Sequence, residues 1–338
     1  MLDFRSDTVT KPTKKMREAM LNAVVGDDVY EDDPTIKELE ELACKLTGKE
    51  AALFVVSGTM GNQLGIYGQT NRGEEIICGV QSHIKNYEVN AAAVISGVGY
   101  QLINEINGMM PLEDIKKGIR GNDVHYPDTG LICLENAHGS GKVLPLAYMK
   151  DVRDLANKHN LNIHLDGARL FNAATFLKVD ASEICQYVDT VTFCLSKGLA
   201  APIGSVLCGT RDFIQKARRG RKLLGGGMRQ VGVLGAPGII ALDEMRLRLQ
   251  EDHDNASYLA DLLDGLNEFK VDRNNLDINM VFVESTVDFE ALEKYLRNKH
   301  IIIGGYKGNH LRIALHNDIK TKDIDVLVSN IKLFIKEN

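Results

Sequence analysis

The chain has 338 residues, 44% apolar and 25% charged, with a formal net charge of -6. At about 150 residues per domain, this length makes roughly two domains with ample core. The acidic balance leaves no electrostatic footprint for nucleic acid, and no run of about 18 apolar residues offers a membrane span.

Residues 1–15 read as an N-terminal arm, without the basic-then-apolar start of a signal peptide. Pro34 opens a helix whose apolar positions Ile36, Leu39, Leu42, Ala43 and Leu46 are stopped by Gly48. Residues 51–56 read as a buried strand and 60–69 as a helix. The apolar runs at 76–78, 93–95, 131–134, 161–165, 190–194 and 205–208 continue the strand series, with helices at 146–159 and 181–187 among them. Short apolar strands alternating with helices predict an α/β domain with a mostly parallel sheet covered on both faces. The pattern changes near residue 240. A long charged helix over 236–265 leads to strands at 280–283 and 311–315 with helices near 288–298 and 322–336. We therefore expect a large domain over 1–240 and a small α+β domain over 241–338.

In open α/β sheets, ligands bind beyond the carboxyl ends of the strands. After the 51–56 strand comes Ser57-Gly58-Thr59, where a helix start offers free N–H groups and a positive dipole end to an anion. A simple helix cap by Ser57 or Thr59 is the plainer use of such residues. After 161–165 comes Asp166-Gly167-Ala168-Arg169, where a loop ion pair is the commoner use. After 190–194 comes Leu195-Ser196-Lys197-Gly198. An amine for a Schiff base, an acid for a pyridinium nitrogen and an anion cup are together the parts that pyridoxal 5′-phosphate needs. The six cysteines contain no C-x-x-C and sit mostly among apolar residues, as buried thiols of a reducing, cytoplasmic compartment do. No metal-ligand spacing stands out. The basic run 216–222 reads as a solvated face, with part of it available to an anionic ligand.

With these residues in view, the chain resembles the L-threonine aldolases of the type I pyridoxal-phosphate fold. The resemblance is carried by 4–10 (Phe-Arg-Ser-Asp-Thr-Val-Thr), 26–30, Ser57-Gly58-Thr59, 164–169, 195–198, 225–230 and 250–256. It implies Lys197 as the Schiff-base lysine, Asp166 on the pyridine nitrogen, and Ser57, Gly58 and Thr59 in the phosphate cup. His83 matches a histidine stacked on the ring. Ser6, Arg169 and Arg312 match groups that hold the cofactor oxygen or the substrate carboxylate, and His125 matches a histidine bordering the substrate side chain. His83 and His125 are both candidates for the base at the β-hydroxyl, as is a bound water. Lys222, and more weakly Arg229, would reach a neighbouring subunit's site in a homodimer or homotetramer. The implied reaction is retro-aldol cleavage of L-threonine, L-allo-threonine and related β-hydroxy-α-amino acids to glycine and an aldehyde. Other type I lyases, an aminotransferase or a non-catalytic pyridoxal-phosphate binder are the rivals. Where relatives read Glu-Asn-Thr-His-Asn-Gly, this chain has Glu135-Asn136-Ala137-His138-Gly139-Ser140.

Glycine is over-represented, 31 of 338 against a usual share of about 7%. Ten of these glycines fall between Lys197 and Gly238, so alanine substitution there is expected to hurt more than elsewhere.

Overall fold

The computed structural model describes residues 1–338 and forms its strands into three sheets. In chain order they are β1 (Leu2–Asp3), β2 (Ala51–Val55), β3 (Glu75–Gly79), β4 (Gly99–Ile103), β5 (Thr129–Glu135), β6 (Asn162–Asp166), β7 (Thr190–Cys194), β8 (Ser205–Gly209), β9 (Phe269–Val271), β10 (Met280–Ser285), β11 (Ile301–Ile302) and β12 (His310–Ala314). Seven make the central sheet, in the order β2-β8-β7-β6-β5-β3-β4. Neighbours from β4 to β7 pair in parallel, and only β8 runs against its neighbours. β3, β7 and β8 are buried at every position, which is why their apolar residues fall on both faces of the sheet. The helix Pro34–Thr47 starts where Asp33 accepts the Ile36 N–H and stops where Gly48 turns left-handed, at φ 69°.

Two expectations are corrected. Residues 93–95 are not a strand but lie in a π-helical turn, Ala92–Ser96. Ala92 and Ser96 face the core while Val94 is 75% exposed, a helical division of faces that three apolar residues cannot announce. The strand of this region is β4, an edge whose partly exposed Tyr100, Gln101 and Leu102 concealed it. The helix expected over 236–265 is three pieces: Gly232–Asp243, a 3-10 turn Met245–Arg248, and Leu249–Asp264. The break turns both Met245 and Leu249 into the core, while Arg248 folds onto Asp252 with Nη2 to Oδ1 at 2.6 Å.

The C-terminal strands form an antiparallel sheet, β12-β10-β9, packed with helices Phe289–Arg297 and Thr321–Glu337 on a core of 23 buried residues. Phe4 belongs to that core, and β1 pairs in parallel with β11 through Leu2 and Ile301. The chain then runs from this module into the crevice at the carboxyl ends of the central sheet. No helix is long and apolar enough to cross a membrane.

Candidate active site

Parallel pairing brings the strand ends together. Glu135 ends β5 and Asp166 ends β6 in direct register, and Thr192 of β7 sits beside Asp166. β7 then runs out to Lys197, and β3 leads to His83. The cleft between this edge and the C-terminal module has a volume of about 680 Å³, with Ser6, His83, Asp166, Arg169, Lys197 and Arg312 among its walls. Of the residues singled out in the sequence, these six meet there.

Asp166 is buried, with Oδ2 accepting from Asn62 Nδ2 at 2.8 Å and Oδ1 from the Ala168 N–H at 3.1 Å. Asn62 lies on the helix Gly58–Tyr67, and its side-chain oxygen meets His164 Nε2 at 3.2 Å. His164 shares a face of β6 with Asp166, two residues away. Burial pushes its imidazole down to about 4, so it is neutral at ordinary pH. Because Nε2 must then donate to Asn62, Nδ1 accepts from the Thr190 hydroxyl at 2.9 Å. This series fixes the Asn62 amide the right way round to hold Asp166. Two glycines bring the helix close enough: a Cβ at Gly61 would lie 2.3 Å from Thr192 Cγ2, and one at Gly65 would lie 2.3 Å from His164 Cε1. The backbone of that helix rests directly on the sheet.

The same Asn62 amide donates to Glu88 Oε1 at 2.8 Å, and Gln63 donates to Glu88 Oε2 at 2.6 Å. Glu88 is buried and takes His83 Nδ1 at 2.9 Å. That hydrogen bond, opposed by burial and aided by Asp166, lifts the His83 imidazole above its ordinary pKa. Ligand atoms of His83, Glu88 and Asp166 lie within 4.8 Å of one another, a spacing a cation could use. The two N–H groups of Asn62 already answer both carboxylates. The His83 backbone N–H is accepted by Glu135 Oε2 at 2.8 Å, and burial followed by the charge of Asp166 raises the Glu135 carboxyl.

Arg169 makes a two-pronged pair with Asp7, Nε to Oδ2 at 2.8 Å and Nη2 to Oδ1 at 2.7 Å. Burial opposes ionisation of Asp7, but the Arg169 guanidinium outweighs it and holds the carboxyl well below the usual range. Arg312 has no acidic partner. Its Nη2 reaches only the Arg5 carbonyl, at 3.1 Å, and its buried Nε is unanswered. Lys197, half-buried, likewise makes no ion pair and no side-chain hydrogen bond. Ser57 caps the helix by accepting from the Met60 N–H at 3.2 Å, which leaves Gly58 and Thr59 in the first turn with their N–H groups open to an anion.

Ser57, Gly58 and Thr59 stand at this helix start and not among the cleft walls, and three further assignments do not meet the cleft of this chain. His125 stands on a surface loop with its side chain 81% exposed and Nδ1 on Asp123 at 2.7 Å. Lys222 is exposed near the end of the helix Arg211–Leu223, and Arg229 pairs with Asp27 at 2.9 Å. Nor is the basic run simply a solvated face. Arg221 is buried against Asp28 and the Phe54 carbonyl, while Arg218 pairs with Glu31 at 3.0 Å and Glu40 at 3.1 Å. The sequence reading passed over Asp7, Asn62, Glu88 and Glu135. Asp7 and Glu135 stood inside quoted motifs; Asn62 and Glu88 carried no local signal.

The beta-eliminating lyase family matches residues 3–286. The low specificity L-threonine aldolase of Escherichia coli K12 is 42% identical over 337 residues, covering 99% of both chains. The chain belongs to this family of threonine aldolases, within the beta-eliminating lyases. The low-specificity L-threonine aldolase 1 of Arabidopsis thaliana is 44% identical, covering 97% of this chain and 94% of that relative. In three dimensions, the threonine aldolase of Leishmania major superposes with a TM-score of 0.86 at 18% identity, covering 99% of this chain and all of that one. The α/β architecture with its mostly parallel sheet is thus the family's fold.

Proposed function

We propose that this protein cleaves L-threonine, L-allo-threonine and related β-hydroxy-α-amino acids to glycine and an aldehyde, with pyridoxal 5′-phosphate as cofactor. The observation that carries this reading is the pair of cations without acidic partners, Lys197 and Arg312, in a cleft whose other charged groups are answered. A buried guanidinium nitrogen with no acceptor is costly unless a ligand supplies one. The donor set fits the cofactor: Lys197 as the amine that carries it, Asp166 for the pyridine nitrogen, and the Gly58 and Thr59 N–H groups with the Ser57-capped helix end for the phosphate. When bound, the cofactor supplies the electron sink that allows Cα–Cβ to break.

The chain's own groups do the rest. Asn62 and the Ala168 N–H hold the Asp166 carboxylate in place, aimed to meet the pyridine nitrogen of the cofactor. Arg312 takes the substrate carboxylate and fixes rotation about Cα. Arg169, held by Asp7 through Nε and Nη2, keeps Nη1 for a ligand oxygen, and Ser6 lies beside it in the same wall. His83 covers the cofactor ring with Nδ1 tied to Glu88, which leaves Nε2 to exchange protons.

Purified protein should be yellow, lose that colour on Lys197→Ala, and release glycine and acetaldehyde from L-threonine. Pyruvate with ammonia would indicate β-elimination instead, amino transfer to a keto acid an aminotransferase, and colour without turnover a silent binder. We further propose a division near residue 240, a cytoplasmic location, and a homodimer or homotetramer in which Lys222 reaches the neighbouring site. Sedimentation of the wild type and of Lys222→Glu tests the assembly.

A further inference from the structure

One set of polar groups in the cleft has no part in the reading above. Ser140 lines the cleft with its Oγ 2.8 Å from His138 Nδ1, and its backbone N–H donates to the same nitrogen at 3.1 Å. An N–H aimed at Nδ1 makes that nitrogen an acceptor, so the ring proton sits on Nε2, which meets Glu105 Oε1 at 3.2 Å. Glu105 is itself held, accepting the Gln81 N–H on Oε2 at 2.7 Å. The Ser140 O–H therefore points at a basic nitrogen, and its lone pairs are left to the cleft.

The loop that carries these groups is tied at several points. His138 N–H donates to the Lys142 carbonyl at 2.8 Å, Gly141 N–H to the His138 carbonyl at 2.9 Å, and Gly139 N–H to Glu135 Oε1 at 2.7 Å. Other bases are less free. Glu135 spends both oxygens on backbone N–H groups, and His125 lies on a surface loop away from the cleft. This is also the stretch where the chain departs from the pattern of the family it resembles, with Gly139-Ser140 in place of Asn-Gly.

We propose that Ser140 is a catalytic residue that takes the β-hydroxyl proton of the substrate and relays its own to His138, with Glu105 as the positioning residue. The inference rests on the aldolase reading. In the step, the substrate O–H bond breaks and its proton passes to Ser140 Oγ as the Ser140 proton passes to His138 Nδ1. The freed oxygen pair closes the aldehyde C=O, and the Cα–Cβ pair stays with Cα. The proton on Nδ1 leaves to solvent, and solvent supplies the proton that Cα takes, so no co-reactant is consumed. His138 must be neutral to accept. Burial pulls its imidazole down, but Glu105, Glu135 and Asp166 around it hold it above its ordinary value, so activity should fall on the acid side as it protonates.

The test pairs two reactions of the holoenzyme: threonine cleavage, and exchange of the glycine α-hydrogen in D₂O followed by NMR. Exchange needs the cofactor and Lys197 but no base at a β-hydroxyl. Ser140→Ala should lower kcat for threonine by about 100-fold with glycine exchange unchanged, and Ser140→Thr should restore most of it. Glu105→Gln should move the acid limb of kcat to lower pH, since an anion beside His138 is gone. Unchanged cleavage in Ser140→Ala overturns the proposal, as does an equal fall of cleavage and exchange, or of exchange alone. Absence of threonine cleavage in the wild type would instead refute the aldolase reading.

Discussion

Replacing Gly65 with alanine sets two effects of known size against each other. Inside a helix, alanine is favoured over glycine by about 1 kcal/mol. The new Cβ, however, would lie 2.3 Å from His164 Cε1 and 2.5 Å from Nδ1, where carbon contacts settle near 3.5–4.0 Å. Something must therefore move by roughly 1.2 Å or more. His164 cannot yield cheaply, because it is fully buried and bonded at both nitrogens, to Thr190 and Asn62. Overpacking of this kind costs about 1–3 kcal/mol, so the balance falls on destabilisation, by about 1 kcal/mol or somewhat more. A shift of this helix also carries Asn62 away from Asp166, and a displacement near 1 Å at such a site can cost about 100-fold in rate. Thermal unfolding, cofactor titration and threonine turnover measure the three consequences. A variant with a raised Tm and unaltered cofactor affinity would refute the reasoning, since helix propensity would then have outweighed the clash.

Three further outcomes are expected. Asp7→Asn should cost about 3–5 kcal/mol at neutral pH by leaving Arg169 buried without its anion. Because the folded carboxyl is held far below its unfolded value, that contribution is whole above the ordinary carboxylate pKa and is lost only as pH falls toward the folded value, so the gap between variant and wild type in urea unfolding should be constant above about pH 4 and narrow progressively below it. The His83 imidazole is raised chiefly by Glu88, so its contribution is complete below about pH 6.5 and is lost as pH rises through the folded value. The stability gap between wild type and Glu88→Gln should therefore be wider at pH 6 than at pH 9; a gap independent of pH would refute the assignment. Cys78 and Cys185 are buried, with thiols pushed up to about 12, whereas Cys44 is only half-buried. A thiol reagent should modify Cys44 first in the native protein and the others only on unfolding, as mass spectrometry would show.

What could be read from the sequence was what lies close along the chain. A buried parallel strand is an apolar run, and the residue just past its end is in the crevice by topology, so Asp166 and Lys197 announce themselves. Asn62 looks like any helix polar residue. Its importance comes from an amide that meets Glu88 and Asp166, 26 and 104 residues further on, and from two glycines that let its helix touch the sheet. Asp7 is similar: its partner Arg169 is 162 residues away. The 93–95 run misled because three apolar residues fit both periods, and β4 stayed hidden because an edge strand buries few of its side chains. The glycine excess drew attention to 197–238, where Gly204 and Gly232 do meet neighbouring side chains closely, yet Gly61 and Gly65 outside it are at least as confined.

The N-terminal arm has a mechanical consequence. Phe4 is stitched to the C-terminal module through the Ile302 carbonyl and the Ala314 N–H, and Asp7 is clamped to Arg169 on the central body. Two residues, Arg5 and Ser6, separate these anchors, and three steps of extended chain at about 3.6 Å each span at most about 11 Å. The arm is thus a short tether across the mouth of the cleft. A displacement of the C-terminal strands against the central sheet that took up its slack would pull on the carboxylate that aims Arg169. A wider entrance would therefore come with a looser anion grip.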